Sequence, residues 1–510
     1  MGSIPNRFKK AAENSAASYG LLLFVSLVLA MLTFDSFLHT NGDNAIYVIL
    51  GESIAEGDGY RNMHGTAESF HSQYPPVFPF LIAVTNWLSP GNFADYKIMV
   101  TVFYIASVLA CYWAFSTVSK VTGLILALLV AVNFEIVSFG HWIMSEVPSM
   151  FFALMTFGFL QRLDQSKLKH LILAAVFCSL GLLTRSALIF LVPSGLLFLW
   201  IQKKWKDGAV FGLVSITPVF IWSAVKNAHG SGGGGYAAKI LQMNPYRPEL
   251  GTMSLGDLIS RMVENFTIYT NSIIPSMLFP SVYTNETIAM IRNGQGSLFL
   301  SVISIAIIIC FIAGLVQGIR KNEWLTVSII FCAVGILLLW PSVWTTQRFV
   351  IPIMPFLLLI SFFGFSLLNS WRYADWLKTA VVALVVISSL SRMEAGRKEY
   401  PAQFAQYKAA SQWVGRNSKT GDVIACRKGE FTYLFSDRKC IRYKYSLNPE
   451  EIINQFIKYN VKYVIVDQLG FSSTPRYLVP AIQENPAFFN LVYVTPKPEN
   501  YVFEFRHENE

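Results

Sequence analysis

The sequence predicts a polytopic α-helical membrane protein that carries a small α/β unit at its C-terminal end. Of its 510 residues, 53% are hydrophobic and only 14% are charged, which excludes an ordinary water-soluble globular protein. Long apolar runs fill residues 1–395, whereas residues 396–510 are polar with alternating apolar positions. The net charge of +9 lies in short clusters between the apolar runs, so it indicates membrane topology and not a nucleic acid partner.

The apolar runs predict about eleven transmembrane helices, since a helix needs roughly 20 apolar residues to cross a hydrocarbon core of about 30 Å. Seven runs satisfy this length directly: 19–39, 96–118, 208–226, 297–318, 324–341, 349–370 and 376–391. Residues 122–162 are too long for one helix and contain a polar interruption, so they predict two spans. Residues 171–200 also predict two spans, joined by a tight turn at Arg185 near one membrane surface.

Basic residues recur in every second connecting segment, which the positive-inside rule assigns to the cytoplasm. These residues are Arg7, Lys9, Lys10, Lys120, Arg162, Lys167, Lys169, Lys203, Lys204, Lys206, Arg320, Lys321, Arg372 and Lys378. The N-terminus is therefore predicted to be cytoplasmic, and an odd number of spans places the C-terminal unit outside. The predicted location is the inner (plasma) membrane, with the first apolar run retained as a helix and not cleaved as a signal peptide.

Two extracytoplasmic loops, 40–95 and 227–296, are predicted to be large. Within the first, residues 77–88 are apolar but too short to cross, so we expect a helix along the outer membrane interface. The second begins with the glycine-rich stretch 229–236, which is either a mobile lid or an ordinary flexible connector.

The C-terminal segment has the pattern of a small α/β unit. Predicted strands are 423–426, 439–443, 461–467, 491–494 and 501–505, and predicted helices are 429–436 and 449–459. Cys426 and Cys440 lie on neighbouring predicted strands and form either a disulfide or two buried thiols. The segment contains no catalytic signature.

Charged residues on the outer side are the candidates for chemistry, because charges near a membrane core are costly. Asp43 follows the first span, where it is either a general base facing a cavity or a solvated loop acid. Glu146 begins the fourth span after Ser145, so helix capping alone could explain it. Arg185 and Arg348 end predicted helices and suit a phosphate or carboxylate, although interfacial snorkelling or pairing with the two acids would also explain them. His64 and His71 in the first loop favour a structural or acceptor-contacting role over metal binding.

Several ordered motifs resemble one family. They are GDNAIY after the first span, YPPVFPFL before the second, MSEVP at the fourth, GLLTRSALIFLVP across the fifth and sixth, and QRFVIPIMP at the tenth. In this order the chain resembles the GT-C superfamily of polyprenyl-phosphate-sugar-dependent glycosyltransferases, of the protein O-mannosyltransferase and aminoarabinose-transferase type. The resemblance extends over about the first 390 residues.

The resemblance implies transfer of a sugar from a polyprenyl-phosphate carrier to an extracytoplasmic lipid, glycan or protein acceptor, with inversion. Asp43 then matches the family's catalytic acid, and Glu146, Arg185, Arg348, Tyr74 and His64 become substrate-binding candidates. Where relatives often have a second acid after the first, this chain has Asn44, and where some have a Lys before the proline pair it has Tyr74. These departures leave open the phosphate contacts and any metal role: no cofactor is established, and a divalent cation is compatible. The alternative function is a transporter or flippase of lipid-linked glycans, which would favour internal repeats and midplane charges.

Overall fold

The structure is a computed structural model that describes residues 13–39, 42–229, 239–393 and 399–507. The predicted glycine-rich stretch at 229–236 lies, apart from its first residue, outside the described residues. Helices of the first half are α1 Ser15–Thr33, α2 Asn44–Glu56, α3 Val77–Leu88, α4 Phe93–Phe115, α5 Lys120–Ala131, α6 Phe134–Phe139, α7 Glu146–Leu160, α8 Lys167–Thr184, α9 Leu191–Ile201 and α10 Trp205–Ala228. The next are α11 Leu255–Ile268, α12 Ile274–Leu278, α13 Asn285–Arg292, α14 Leu298–Arg320, α15 Trp324–Leu339, α16 Met354–Phe365 and α17 Ala374–Leu390.

Six helical segments of the described residues are long and apolar enough to cross a membrane. They are 15–33, 93–115, 167–184, 205–228, 298–320 and 347–370, the last of which includes the short 3-10 turns before α16. The other five predicted spans coincide with shorter helices, namely α5, α7, α9, α15 and α17. Every predicted apolar run therefore has a helix, while the number that crosses the bilayer stays a prediction.

The first predicted span, 19–39, is displaced from the helix that forms. Helix α1 begins after Asn14, whose side chain accepts a hydrogen bond from the Ala16 backbone N–H, and it ends at the extended residue Phe34. The chain leaves the helix here because Asp35 is drawn into a buried ion pair with Lys97.

The predicted cytoplasmic segments contact one another at one end of the bundle. The Lys120 ammonium reaches the carbonyl of Glu13 at 2.8 Å. Lys204 pairs with Asp164 at 3.0 Å. The predicted outer loops meet around the cavity described below, and the side of the membrane on which each loop lies stays a prediction.

Helix α3 is the short helix predicted for residues 77–88. It packs closely on α2, because a Cβ atom at Gly51 would overlap the Ile82 side chain. Its other face presents Phe80, Trp87 and Leu88 to the exterior, as expected of a helix that lies along a membrane interface.

Two glycines let helices α14 and α16 approach closely. A Cβ atom at Gly314 would overlap the carbonyl oxygen of Ile360, and one at Gly364 would overlap that of Cys310. Such small residues allow helix backbones to touch in a membrane. The contact fixes α16, and with it the turn that precedes it and carries Arg348.

The C-terminal segment forms the predicted α/β unit, and its five strands make one mixed sheet. Its helices are α18 Ala402–Asn417, α19 Gly429–Ser436, α20 Pro449–Lys458 and α21 Val479–Glu484, and its strands are β1 Val423–Cys426, β2 Cys440–Arg442, β3 Val461–Val466, β4 Phe489–Val494 and β5 Tyr501–Phe505. The strand order is β2-β1-β3-β5-β4, with β1 parallel to β2 and β3 and the remaining pairs antiparallel. Cys426 and Cys440 are free, buried thiols, so of the two alternatives for this pair the disulfide is absent.

This α/β unit rests on the predicted outer loops. The backbone N–H of Cys440 donates to the His64 carbonyl at 2.7 Å. The Tyr400 hydroxyl donates to the Leu38 carbonyl at 2.7 Å. The α/β unit therefore covers the end of the bundle where the candidate charged residues lie.

Candidate active site

Asp43 lies in the turn that leads into helix α2. Its side chain does not cap that helix. Instead, its Oδ2 atom accepts a hydrogen bond from Nη2 of Arg348 at 2.8 Å. The carboxylate is 26% exposed, so it is paired yet open to the space in front of it.

Glu146 is the first residue of α7, and its side chain is fully buried. Its Oε1 atom accepts from Nε of Arg348 at 2.6 Å and lies 3.0 Å from Nη1 of Arg185. Ser145 does not cap the helix; its hydroxyl lies 3.1 Å from the Tyr47 hydroxyl and accepts from Arg185 at 3.2 Å. Helix capping therefore does not explain Glu146, because the carboxylate binds two guanidinium groups.

The backbone brings both arginines to this point by interrupting helices. Arg185 is an extended residue between the end of α8 and a short 3-10 turn. Arg348 lies in another 3-10 turn, Gln347–Phe349, ahead of α16. Both guanidinium groups lie over the Phe349 ring, at 5.0 Å and 5.7 Å from its centroid. Of the two explanations that involve no ligand, the structure shows pairing with the acids and not snorkelling.

Two carboxylates and two guanidinium groups thus form one connected group, here called the quartet: Asp43, Glu146, Arg185 and Arg348. Burial would raise the pKa of Asp43, but the charge of Arg348, its hydrogen bond and one from Tyr74 outweigh burial and lower it to about 2. Asp43 is therefore an ionised carboxylate at neutral pH.

Asp43 and Arg348 of the quartet line a cavity of about 1160 Å³, large enough for a sugar and part of an acceptor. Glu146 and Arg185 are buried and do not line it. The first loop, the 134–144 region, residues 280–285, residues 344–348 and the α/β unit all contribute lining residues. Aromatic side chains alternate with polar ones, among them Tyr74, Trp142, Tyr246, Tyr283 and Trp344. Such a lining suits carbohydrate, which presents both C–H faces and hydroxyls.

Comparison with known proteins identifies the fold. The model of the dolichyl-phosphate-mannose-protein mannosyltransferase family matches residues 73–222. The oligosaccharyltransferase of Archaeoglobus fulgidus, in complex with an inhibitory peptide and a dolichol-phosphate, superposes with a TM-score of 0.57 at 12% identity, covering 97% of this chain and 74% of its own. ArnT from Cupriavidus metallidurans, bound to undecaprenyl phosphate, gives 0.56 at 9% identity, covering 96% and 98%. The chain has the GT-C fold.

A third GT-C structure, the arabinofuranosyltransferase AftD from Mycobacteria, matches with a TM-score of 0.50 at 11% identity, covering 96% of this chain and 42% of its own. No curated protein matches the chain by sequence. The prediction of a GT-C fold is confirmed, and the matching family and these neighbours are glycosyltransferases, the class that the sequence predicts.

Tyr74 and His64, the two remaining predicted site residues, line the same cavity as Asp43 and Arg348. Tyr74 stacks on His71 with ring centroids 5.1 Å apart, and its hydrogen bond to Asp43 is the contact noted above. His64 faces the cavity beside Gly429 of the α/β unit. His71 lines the cavity as well, and its ring is held in place, since its Nδ1 lies 2.6 Å from Asn62 Oδ1 and its Nε2 accepts the Tyr74 backbone N–H.

A divalent cation does not fit the quartet. Arg348 already holds one oxygen of each carboxylate, and the two guanidinium groups balance the charge of the two acids, so a cation would add unmatched positive charge. Among the described residues, no three His, Cys, Asp or Glu side chains group as metal ligands.

Sequence reasoning missed the contribution of the α/β unit to the cavity. Arg427, Lys428, Glu430 and Arg442 line it from the side opposite the bundle, and Lys239 joins them from the second outer loop. No sequence signal marks these residues, because basic residues after a short strand are ordinary in a solvated unit. Only the docking of the sheet onto the first loop gives them a place in the site.

Proposed function

We propose that the chain is an integral membrane glycosyltransferase that moves a sugar from a polyprenyl-phosphate carrier to an extracytoplasmic acceptor, with inversion at the anomeric carbon. The observation that carries the proposal is the quartet at the wall of a large polar and aromatic cavity. The GT-C fold supports it. In this proposal the cavity faces away from the cytoplasm and the N-terminus faces the cytoplasm.

Asp43 acts as the general base in this reaction. It accepts the proton of the acceptor hydroxyl while the hydroxyl oxygen bonds to the anomeric carbon. The bond between that carbon and the phosphate oxygen breaks, and the carrier phosphate leaves with the electron pair. A carboxylate that is ionised at neutral pH and partly exposed to the cavity is suited to take that proton.

Arg348 links proton transfer to departure of the phosphate. In the free protein its guanidinium binds both Asp43 and Glu146. A phosphate that takes over some of these hydrogen bonds weakens the hold on Asp43, so the basicity of Asp43 rises when the donor is bound. Glu146 keeps Arg348 and Arg185 in place during this exchange, since it contacts both.

Apolar side chains close to these arginines would face the hydrocarbon tail of the carrier. A small apolar pocket lies between the turn after Arg185 and the end of α15, lined by Ala187, Leu188, Leu337, Trp340 and Phe349. Phe349 is the same ring that lies under the two guanidinium groups. A phosphate at the arginines would therefore place its prenyl chain against apolar side chains and the membrane.

The test is a transfer assay with the purified full chain in lipid nanodiscs. Undecaprenyl-phosphate-linked sugars and candidate acceptors are supplied, and release of undecaprenyl phosphate is measured. Asp43→Asn should lower the rate by about 10²–10⁴-fold, the usual contribution of a general base. Asp58→Asn is the matched control, because Asp58 is an exposed acid in the same loop that does not line the cavity.

Two outcomes contradict the proposal. Unchanged turnover in folded Asp43→Asn removes Asp43 as the base. A product that retains the anomeric configuration of the donor contradicts a single displacement. The transporter alternative is tested with the same protein in liposomes. Movement of lipid-linked sugar across the liposome bilayer without release of undecaprenyl phosphate would support that alternative instead.

A further inference from the structure

The loop between β1 and α19 presents a lysine to the quartet. The ammonium group of Lys428 donates to the carbonyl of Gly42 at 3.1 Å, the residue just before Asp43. This contact joins the α/β unit directly to the turn that carries the proposed base. Lys428 also lines the cavity.

The charge of Lys428 has no close acidic partner. Among the described residues, no carboxylate oxygen lies within 4.0 Å of its ammonium group, and its hydrogen bond goes to a neutral carbonyl. Nearby Glu430 is 3.2 Å from Arg442. Burial lowers the pKa of Lys428 even though Glu430 and Asp43 act in the opposite direction, as expected for a cation whose surroundings supply too little negative charge.

The quartet itself has no spare positive charge. Its two guanidinium groups are matched by two carboxylates that they contact. A phosphate arriving beside it, and the negative charge that develops as the phosphate leaves, need a further cation. Lys428 is the cation that the fold supplies at Gly42.

The backbone around Lys428 also favours an anion. Strand β1 is parallel to both its neighbours, so Lys428 follows the carboxyl end of a parallel strand, where open α/β sheets bind their ligands. Gly429 begins α19 and lines the cavity, and the backbone N–H groups at a helix start attract negative charge. Both Arg427 and Lys428 lie over the Phe471 ring, at 4.4 Å and 5.5 Å from its centroid. Arg427 is less available, because it is buried and its Nε donates to Ser473.

We propose that Lys428 of the α/β unit binds the phosphate of the polyprenyl carrier and stabilises it as the leaving group. This inference rests on the proposed function and adds that the transferase site is incomplete without the C-terminal unit. The alternative source of the anion is an acidic acceptor, which the experiment separates from the carrier.

The experiment measures binding of undecaprenyl phosphate and of the neutral alcohol undecaprenol to the full chain in phosphatidylcholine nanodiscs. Lys428→Gln should weaken binding of undecaprenyl phosphate by about tenfold or more, the effect of losing a charge-assisted hydrogen bond. Binding of undecaprenol should not change. Lys428→Arg should stay within about threefold of the natural protein, because it keeps the charge. Lys444→Gln is the matched control, since Lys444 belongs to the same unit but is 55% exposed and pairs with Glu451 outside the cavity.

The results distinguish this inference from the proposed function. If the natural protein binds undecaprenyl phosphate no better than undecaprenol, the proposed function fails. If it discriminates and Lys428→Gln discriminates equally well, only the assignment of Lys428 is overturned. An equal loss for phosphate and alcohol would make Lys428 a tether of the Gly42 turn and also overturn it. The assignment of Lys428 is also overturned if Lys428→Gln binds undecaprenyl phosphate normally and only raises the KM for an acidic acceptor in the transfer assay.

Discussion

Two groups of buried charges lie at the same end of the helical bundle, and they differ in their access to the cavity. The quartet has Arg348 and Asp43 at 21% and 26% exposure. The second group, here called the sealed cluster, consists of Asp35, Lys97, His39 and His141, and its members do not line the cavity. The Asp35 and Lys97 side chains are 2% and 1% exposed.

The sealed cluster serves packing. Lys97 donates to Asp35 and to the Phe37 carbonyl, and the two histidines lie 3.5 Å and 3.3 Å from Asp35. His39 stacks against Trp142, whose own side chain lines the cavity. The cluster thus joins the end of α1 to α4 behind the cavity wall.

The comparison teaches that charge near the membrane is not by itself a sign of chemistry. Both groups contain an ion pair, and both hold separate helices together. Only the quartet leaves an acid and an arginine reachable by a substrate. The difference predicts that mutations in the sealed cluster change stability, whereas mutations in the quartet change turnover.

The largest effect on stability is expected for Lys97→Met. It leaves the Asp35 carboxylate buried without its ammonium partner, which typically lowers the free energy of unfolding by about 3–5 kcal/mol. Denaturant unfolding of the purified protein measures this loss, and transfer activity per folded molecule should remain close to that of the natural protein. The double variant Asp35→Asn with Lys97→Met should recover much of the stability. Normal stability in Lys97→Met alone would contradict the role assigned to the cluster.

Within the quartet, Arg348→Lys should have a smaller effect on stability and a large one on turnover. Arg348 uses Nε for Glu146 and Nη2 for Asp43, and a lysine ammonium cannot reproduce this fork. We expect kcat to fall by about 10²-fold, roughly 2.7 kcal/mol of transition-state free energy, with the free energy of unfolding changed by less than about 1 kcal/mol. Arg372→Lys, an exposed residue at the other end of the bundle, is the control. A stability loss as large as that of Lys97→Met would remove the distinction between the two groups.

The smallest expected effect is on pH dependence. The pKa of Asp43 is lowered to about 2. In the natural protein, protonation of Asp43 should therefore cause no fall of kcat/KM towards low pH (no acid limb) above about pH 3. The ion pair correspondingly stabilises the fold above the unfolded-state pKa, and this contribution disappears as pH falls towards 2. In Arg348→Gln, burial is no longer opposed by the guanidinium, so an acid limb should appear at higher pH. An acid limb at the same pH in both proteins would contradict this account of Asp43.

Most of the fold could be predicted from the sequence, because its main features depend on short stretches of the chain. Span-length apolar runs, basic residues in alternate segments and the alternating strands of the α/β unit each depend on local sequence. The predicted end of the first span was wrong, because the chain leaves the helix where Asp35 pairs with Lys97, a residue 62 positions away. A lysine within an apolar run, Lys97, indicates a buried acidic partner, but the prediction of spans from their length took no account of it.

The quartet was predicted because all four residues stand at ends of apolar runs on one side. Their pairing was only one of several alternatives, since side-chain distances depend on how α2, α7 and the turns at Arg185 and Arg348 pack. Lys428 could not be predicted at all. Its position depends on the docking of a separate sheet onto the first loop, a long-range contact between residues 42 and 428.

The most direct test of the central claim compares Asp43→Asn with Lys97→Met in one assay. Release of undecaprenyl phosphate from its sugar conjugate is measured per folded molecule in nanodiscs. The account predicts that Asp43→Asn lowers the rate per folded molecule by at least about 10²-fold. Lys97→Met, although less stable, should have the rate of the natural protein. Equal losses in the two variants, or full activity in Asp43→Asn, would contradict the assignment of the chemistry to the quartet.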